Sequence, residues 1–284
     1  MKIYFTSKLL FIACLLLASS TFAQIRGKCV DQYGKGIPYV NISIKEKSIG
    51  TVSNLNGDFF IENSFIKEND AIIFSHLNFE KKTIEIPLKT NEIQLVTKIE
   101  SLKEVVVSNR KRKFKEKIVG TKTETENIVT CFTSNNLGTE IGKIITVKKN
   151  KVYDLKSVQF NIPDFQYKSV TFRINFYEIK NDTISLIKEN GKDNIIKITK
   201  SGMVKFDLTD QYLSFEKDFL VAVEWIDFEN NGNNANESNM IQFSSTVFSG
   251  PFVYRDNVNL KWENKKLIMN LGVGIHLKVN EYSN

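Results

Sequence analysis

Apolar and polar residues alternate with a period of two along most of this chain, and that period predicts β-strands. Val40, Ile42 and Ile44 alternate with Asn41, Ser43 and Lys45, giving one apolar face and one polar face. Val170, Phe172, Ile174 and Phe176 alternate in the same way with Thr171, Arg173, Asn175 and Tyr177. Phe219 to Trp225 is apolar on both faces except at Glu224, which predicts a buried strand. Leu267 to Val279 alternates again, with Gly272 and Gly274 where a strand can bend or bulge. Turn signals fall between these runs: Asn56-Gly57, Asn190-Gly191 and Ser201-Gly202. Asn56-Gly57 predicts a tight hairpin that returns Phe59 to the core. No segment beyond the N-terminal leader keeps a helical period, so the expected class is all-β, built from sandwiches or barrels.

The leader has the layout of a secretory signal peptide, residues 1–23. Lys2 and Lys8 precede the apolar run Leu9 to Ala18, and Thr21 and Ala23 stand before the cut. The run is shorter than the about 20 residues a membrane-spanning helix needs, so the expectation is an exported protein without a transmembrane helix. An acyl anchor on Cys14 is the alternative. It would leave Leu15, Leu16 and Leu17 at the mature N-terminus, so simple cleavage is preferred. Cys29 and Cys131 lie in different segments and read as two separate small core residues rather than a disulfide.

The net charge of +7 changes the picture less than it suggests. Losing Lys2 and Lys8 leaves +5, and Arg110 to Lys117, with six basic residues and one Glu, carries +5 alone. The rest is neutral, so nucleic-acid binding loses its support. The basic run reads as a solvated linker. The expected layout is a β-sandwich over 24–108, a basic and polar linker over 109–140, and a second β-sandwich or jelly-roll-like domain over 141–284. The polar stretch Asn230 to Asn239 is expected as a mobile loop of the second domain.

The first block carries a recognisable set of motifs. Gly27-Lys28-Cys29-Val30-Asp31 leads to Gly34 and to Gly36-Ile37-Pro38-Tyr39-Val40-Asn41-Ile42. Ile49 to Asn54, Asn56-Gly57-Asp58-Phe59, Ile73 to Phe79 and the closing Leu102 to Val107 follow. In combination they resemble the carboxypeptidase-regulatory-like domain common in exported proteins of Bacteroidetes. The resemblance implies a seven-stranded Greek-key sandwich like transthyretin. It also implies an accessory role beside peptidases, receptors and TonB-dependent transporters, with no catalytic residue to carry over.

Candidate chemistry is sparse. A zinc peptidase needs converging His and carboxylate ligands, whereas His76 and His276 fall in different domains and read as surface or boundary residues. No Gly-x-Ser-x-Gly elbow and no phosphate-binding glycine loop occurs. A carboxylate pair for hydrolysis stays open, because acidic residues are plentiful. The chain after Lys117 is too short for an outer-membrane transporter of about 22 strands of roughly 10 residues. Two weaker patterns remain. Phe252, Tyr254, Arg255 and Trp262 bracket a polar turn and are candidate sugar-stacking residues, against a reading in which they fill the core. Asp227 and Glu229, with the asparagines that follow, are candidate oxygen ligands for Ca²⁺, against a solvated loop. The expected function is a non-catalytic envelope module that binds an envelope protein or a glycan, at the periplasm or outer membrane. Its expected membrane association is peripheral or through a lipid anchor.

Overall fold

A strand with one apolar face is stable only when that face is covered by another layer. In the computed structural model, which describes residues 24–62, 65–98, 113–132, 137–189, 192–230, 240–265 and 270–283, the first seven strands cover one another in two sheets. The chain runs through β1 (Gln24–Val30), β2 (Asn41–Ile44), β3 (Gly50–Val52), β4 (Asp58–Glu62), β5 (Ala71–His76), β6 (Phe79–Glu85) and β7 (Glu92–Gln94). The sheet orders are β4-β1-β7 and β3-β2-β5-β6, so the chain crosses between sheets four times. Val40, Ile42, Ile44, Phe59 and Phe74 fill the space between them. Each such side chain contributes roughly 1.5–3 kcal/mol by leaving water.

Asn56-Gly57 does not close a hairpin between paired strands. β3 pairs with β2 and β4 with β1, so this turn carries the chain from one sheet to the other. Only Gly57 takes a positive φ, +86°, and a Cβ there would lie 2.4 Å from the Cys29 carbonyl oxygen. Asn54 closes the turn, its Oδ1 accepting from the N–H groups of Asn56 and Asp58 at 2.9 Å each.

The second domain continues with β8 (Phe114–Gly120), β9 (Val129–Phe132), β10 (Glu140–Ile145), β11 (Lys151–Ile162), β12 (Ser169–Lys180), β13 (Thr183–Lys188) and β14 (Ile195–Ile198). Then come β15 (Gly202–Asp207), β16 (Ser214–Phe215), β17 (Phe219–Glu229), β18 (Ile241–Thr246), β19 (Phe252–Arg255), β20 (Glu263–Lys265), β21 (Gly272–Val273) and β22 (Ile275–Ser283). A large sheet runs β13-β12-β17-β10-β19-β20, with β14 also on β12. Facing it are β15-β11-β22-β8, with β16 on β11, and β21-β18-β9. Phe132, Phe160, Phe172, Trp225 and Phe243 pack ring against ring at the centre of this core. One 3-10 turn, Thr209–Gln211, interrupts the strands, and no α-helix occurs among the described residues. No helix there is long and apolar enough to cross a membrane.

The expected linker over 109–140 is corrected in part. Residues 99–112 lie outside the described residues, but β8 and β9 both belong to the second domain. β8 is an edge strand on β22, tied by Lys117 to Glu281 and by Glu116 to Lys278. Charged side chains on an edge strand discourage unwanted pairing, and they also make it look like solvated chain. The single strand expected across Leu267 to Val279 breaks at Gly274, where a Cβ would meet Thr123 Cγ2 at 2.4 Å and the Ser244 carbonyl at 2.6 Å. Residues 231–239 of the expected polar loop and Cys14 lie outside the described residues. Cys29 and Cys131 are free thiols, the first buried in the core with burial pushing its pKa up to about 12.

Candidate functional site

Alternation sends the polar residues of β2 and β12 away from their own cores, and the two outward faces are then buried at the junction between the domains. On β2, Asn41 and Ser43 point outward, with Ser75 of β5 directly opposite Asn41. Asn41 and Ser43 are nevertheless buried. Asn259 Nδ2 donates to Ser43 Oγ at 2.8 Å and Asn257 Nδ2 to the Lys47 carbonyl at 3.0 Å. Arg173 Nη2 reaches the Tyr39 carbonyl at 2.8 Å. These contacts join the second domain to the β2 face of the first.

Behind them a row of charge crosses four strands of the large sheet. Arg173 on β12 stands opposite Glu224 on β17, Glu224 opposite Glu140 on β10, and Glu140 opposite Arg255 on β19. All four are essentially inaccessible to water. Arg173 Nη1 lies 3.1 Å from Glu224 Oε1, and Lys188 Nζ lies 2.9 Å from Glu224 Oε2. Asn175 Nδ2 bridges the two carboxylates, 2.6 Å from Glu224 Oε2 and 2.9 Å from Glu140 Oε1. Glu140 also accepts from Tyr177 Oη at 2.9 Å and from Arg255 Nε at 3.1 Å. The Arg255 guanidinium sits over the rings of Tyr177 and Trp262, 4.8 and 4.2 Å from their centroids. Asp193 completes the set. Its Oδ1 is 3.1 Å from Arg173 Nε, off hydrogen-bond geometry, and its Oδ2 is 3.3 Å from His76 Nε2 of the first domain. His76 Nδ1 accepts the Asn78 N–H at 3.1 Å. With Nδ1 accepting, Nε2 is the ring nitrogen that faces Asp193 as donor.

The electrostatics follow from the count. Three cations (Arg173, Arg255, Lys188) face three carboxylates (Glu140, Glu224, Asp193), so the row is balanced in formal charge. Burial works to raise Glu224, but Lys188 and Arg173 outweigh it and hold the carboxyl well below its ordinary range. Burial likewise opposes Asp193, whose His76 hydrogen bond and Arg173 keep it low. Glu140 is pushed up by burial, with Arg255 opposing and Glu224 reinforcing the rise. Two neighbouring carboxyls shifted apart are the arrangement that acid–base catalysis uses. Here both are sealed from solvent, and their oxygens already accept from the surrounding cations, amide and phenol.

A cleft of about 260 Å³ opens at the edge of this network, between the domains. Its wall includes His76, Lys81 and Lys98 from the first domain and Leu186, Ile187 and Lys188 from the second. Lys188 runs from the cleft to Glu224, and His76 from the cleft to Asp193.

The residues expected for sugar stacking do not form one face. Alternation along β19 turns Phe252 and Tyr254 to one side, their rings stacked 5.7 Å apart against the main core. Arg255 turns to the other, into the ionic row, with Trp262 over it. Of the residues expected for Ca²⁺, Glu229 is held by Lys168 and Lys197. The Asp227 carboxylate accepts its neighbour's N–H, that of Phe228. No group of three or more ligating side chains gathers among the described residues. His276, expected as a surface or boundary residue, is buried on β22, with burial lowering its pKa. His76 lies in the junction. The ionic row itself was missed. Its signal was a lone charge inside an otherwise apolar strand, at Glu224, and a lone Arg173 among short polar neighbours.

Residues 25–107 match the family model of the CarboxypepD_reg-like domain. No curated protein matches the chain. Among solved structures, the clostridial cysteine protease Cwp84, in a variant form after propeptide cleavage, is 10% identical with a TM-score of 0.40, covering 60% of this chain and 40% of that one. A variant of BcpA, the major pilin subunit of Bacillus cereus, is 9% identical with a TM-score of 0.20, covering 91% of this chain and 69% of that one. The chain thus spans well under half of the protease it resembles. At TM-scores below 0.5 neither likeness carries over a fold or an activity.

Proposed function

Given that residues 25–107 form a CarboxypepD_reg-like domain, we propose that the protein is a non-catalytic accessory module of the cell envelope, exported by its leader. It holds a partner of a surface or outer-membrane transport system. The observation that carries this reading is the ionic junction. Its buried carboxylates are all matched by cations, which suits a fixed joint between two sandwiches and leaves no free acid or base of the row facing a substrate. Burying so many charges is costly unless each is paired, and the return is a defined orientation of one domain on the other. A rigid pair presents a composite surface that neither sandwich has alone.

The test is a pull-down of tagged protein from gently solubilised envelopes, with the retained proteins identified by mass spectrometry. A reproducible envelope partner supports the reading, and a protein recovered alone contradicts it. A glycan-binding reading keeps one observation, the half-buried Phe252–Tyr254 ring pair. Retention on a glycan array that is lost in Tyr254→Ala would favour it.

A further inference from the structure

We propose that the outer edge of β13, with the cationic cleft beside it, accepts an acidic extended peptide segment of another protein as an added strand. This deepens the binding role proposed above and rests on it.

Three observations converge there. β13 is the terminal strand of the large sheet among the described residues, so its outward backbone groups have no ladder partner there. The Ile187 N–H is turned back onto Ser185 Oγ at 3.0 Å, a local contact that an incoming carbonyl can replace. Edge strands are ordinarily protected by a charged residue. The single charged residue of β13, Lys188, is instead directed inward to Glu224. What the edge presents is Leu186, 49% exposed, and Ile187, 71% exposed.

The chemistry of the partner follows from the cleft. Lys81 and Lys98 line the wall opposite β13, Lys81 as an exposed residue, and no carboxylate lines it among the described residues. A carboxylate entering the cleft meets the exposed Lys81, while apolar side chains on the same segment cover Leu186 and Ile187. Strand addition of this kind draws affinity from main-chain hydrogen bonds and specificity from alternate side chains. The positive wall selects acidic over basic segments.

The experiment uses the full mature chain and a fluorescein-labelled peptide of alternating aspartate and valine, about six residues long, with a lysine–valine peptide as its counterpart. Fluorescence anisotropy should show binding of the acidic peptide only, weakened by salt. Lys81→Glu should reduce affinity by about tenfold. Leu186→Lys, at an exposed edge position, should do the same while circular dichroism stays unchanged. Equal binding of both peptides, binding untouched by these substitutions, absence of binding, or full displacement by inorganic phosphate would each overturn the proposal. The envelope pull-down separates the two readings. A partner retained by wild type and lost by Leu186→Lys supports the strand site. A partner retained by both leaves the binding role standing and removes this site. No partner in either removes both.

Discussion

The two faces of β12 are equally buried and are held by opposite chemistry. Val170, Phe172, Ile174 and Phe176 enter the core of the second domain, where dispersion and the loss of water contact hold them. Thr171, Arg173, Asn175 and Tyr177 point the other way and are just as inaccessible. Arg173, Asn175 and Tyr177 are held by hydrogen bonds and ion pairs to Glu224, Glu140 and the first domain. Alternation in a sequence therefore tells which residues leave the core. It does not tell whether they reach water.

The largest expected effect tests whether the polar face matters as much as the apolar one. Phe172→Ala should cost about 3–5 kcal/mol by leaving a cavity. Glu224→Ala should cost a similar ~3–5 kcal/mol, because it strands Arg173 and Lys188 without a counter-charge. Both are read by chemical denaturation, and a cost under about 1 kcal/mol for Glu224→Ala would mean that the row is solvated. Next in size is Asp193→Asn, which removes the charge between Arg173 and His76. It should cost about 1–3 kcal/mol and split a single calorimetric transition into two as the domains uncouple.

Acid should loosen the same joint. Glu224 and Asp193 have folded-state values below their ordinary ones. Their contribution is complete above the unfolded range of about 4 and is lost as the pH falls through the folded values. Glu140 works in the opposite sense, since its raised value makes its ionisation a cost above the unfolded value, relieved by acid. Two carboxyls against one predict a melting temperature that falls on acidification below pH about 4, measured by calorimetry across a pH series. Asn259→Ala removes one neutral contact to Ser43 and should cost about 0.5–1.5 kcal/mol in the same denaturation experiment. The smallest effect is Lys81→Glu, exposed and outside the ionic row. It should stay within about 0.5 kcal/mol of wild type while weakening acidic-peptide binding.

The apolar side of this comparison was legible in the sequence. The alternation at Val40–Lys45 and Val170–Tyr177 and the apolar run at Phe219–Trp225 place β2, β12 and β17, and the turn motifs of the first domain point to its two-sheet sandwich. The polar side was not. Glu140, Arg173, Glu224 and Arg255 are separated by 31 residues or more, and only the register of four strands makes them neighbours. β8 was hidden because an edge strand carrying Lys115, Glu116 and Lys117 has the composition of a linker. Arg255 was grouped with Tyr254 because they are adjacent in sequence, whereas a strand turns adjacent side chains to opposite faces.

The central claim is that the polar faces meet to make one rigid two-domain unit. It is tested most directly by electron–electron distance measurement between spin labels at Tyr33→Cys and Tyr212→Cys, both highly exposed and one in each domain, with Cys29→Ala and Cys131→Ser removing the native thiols. A rigid joint predicts one narrow distance distribution that broadens when Glu224→Ala is added. A broad distribution before that substitution would contradict the account.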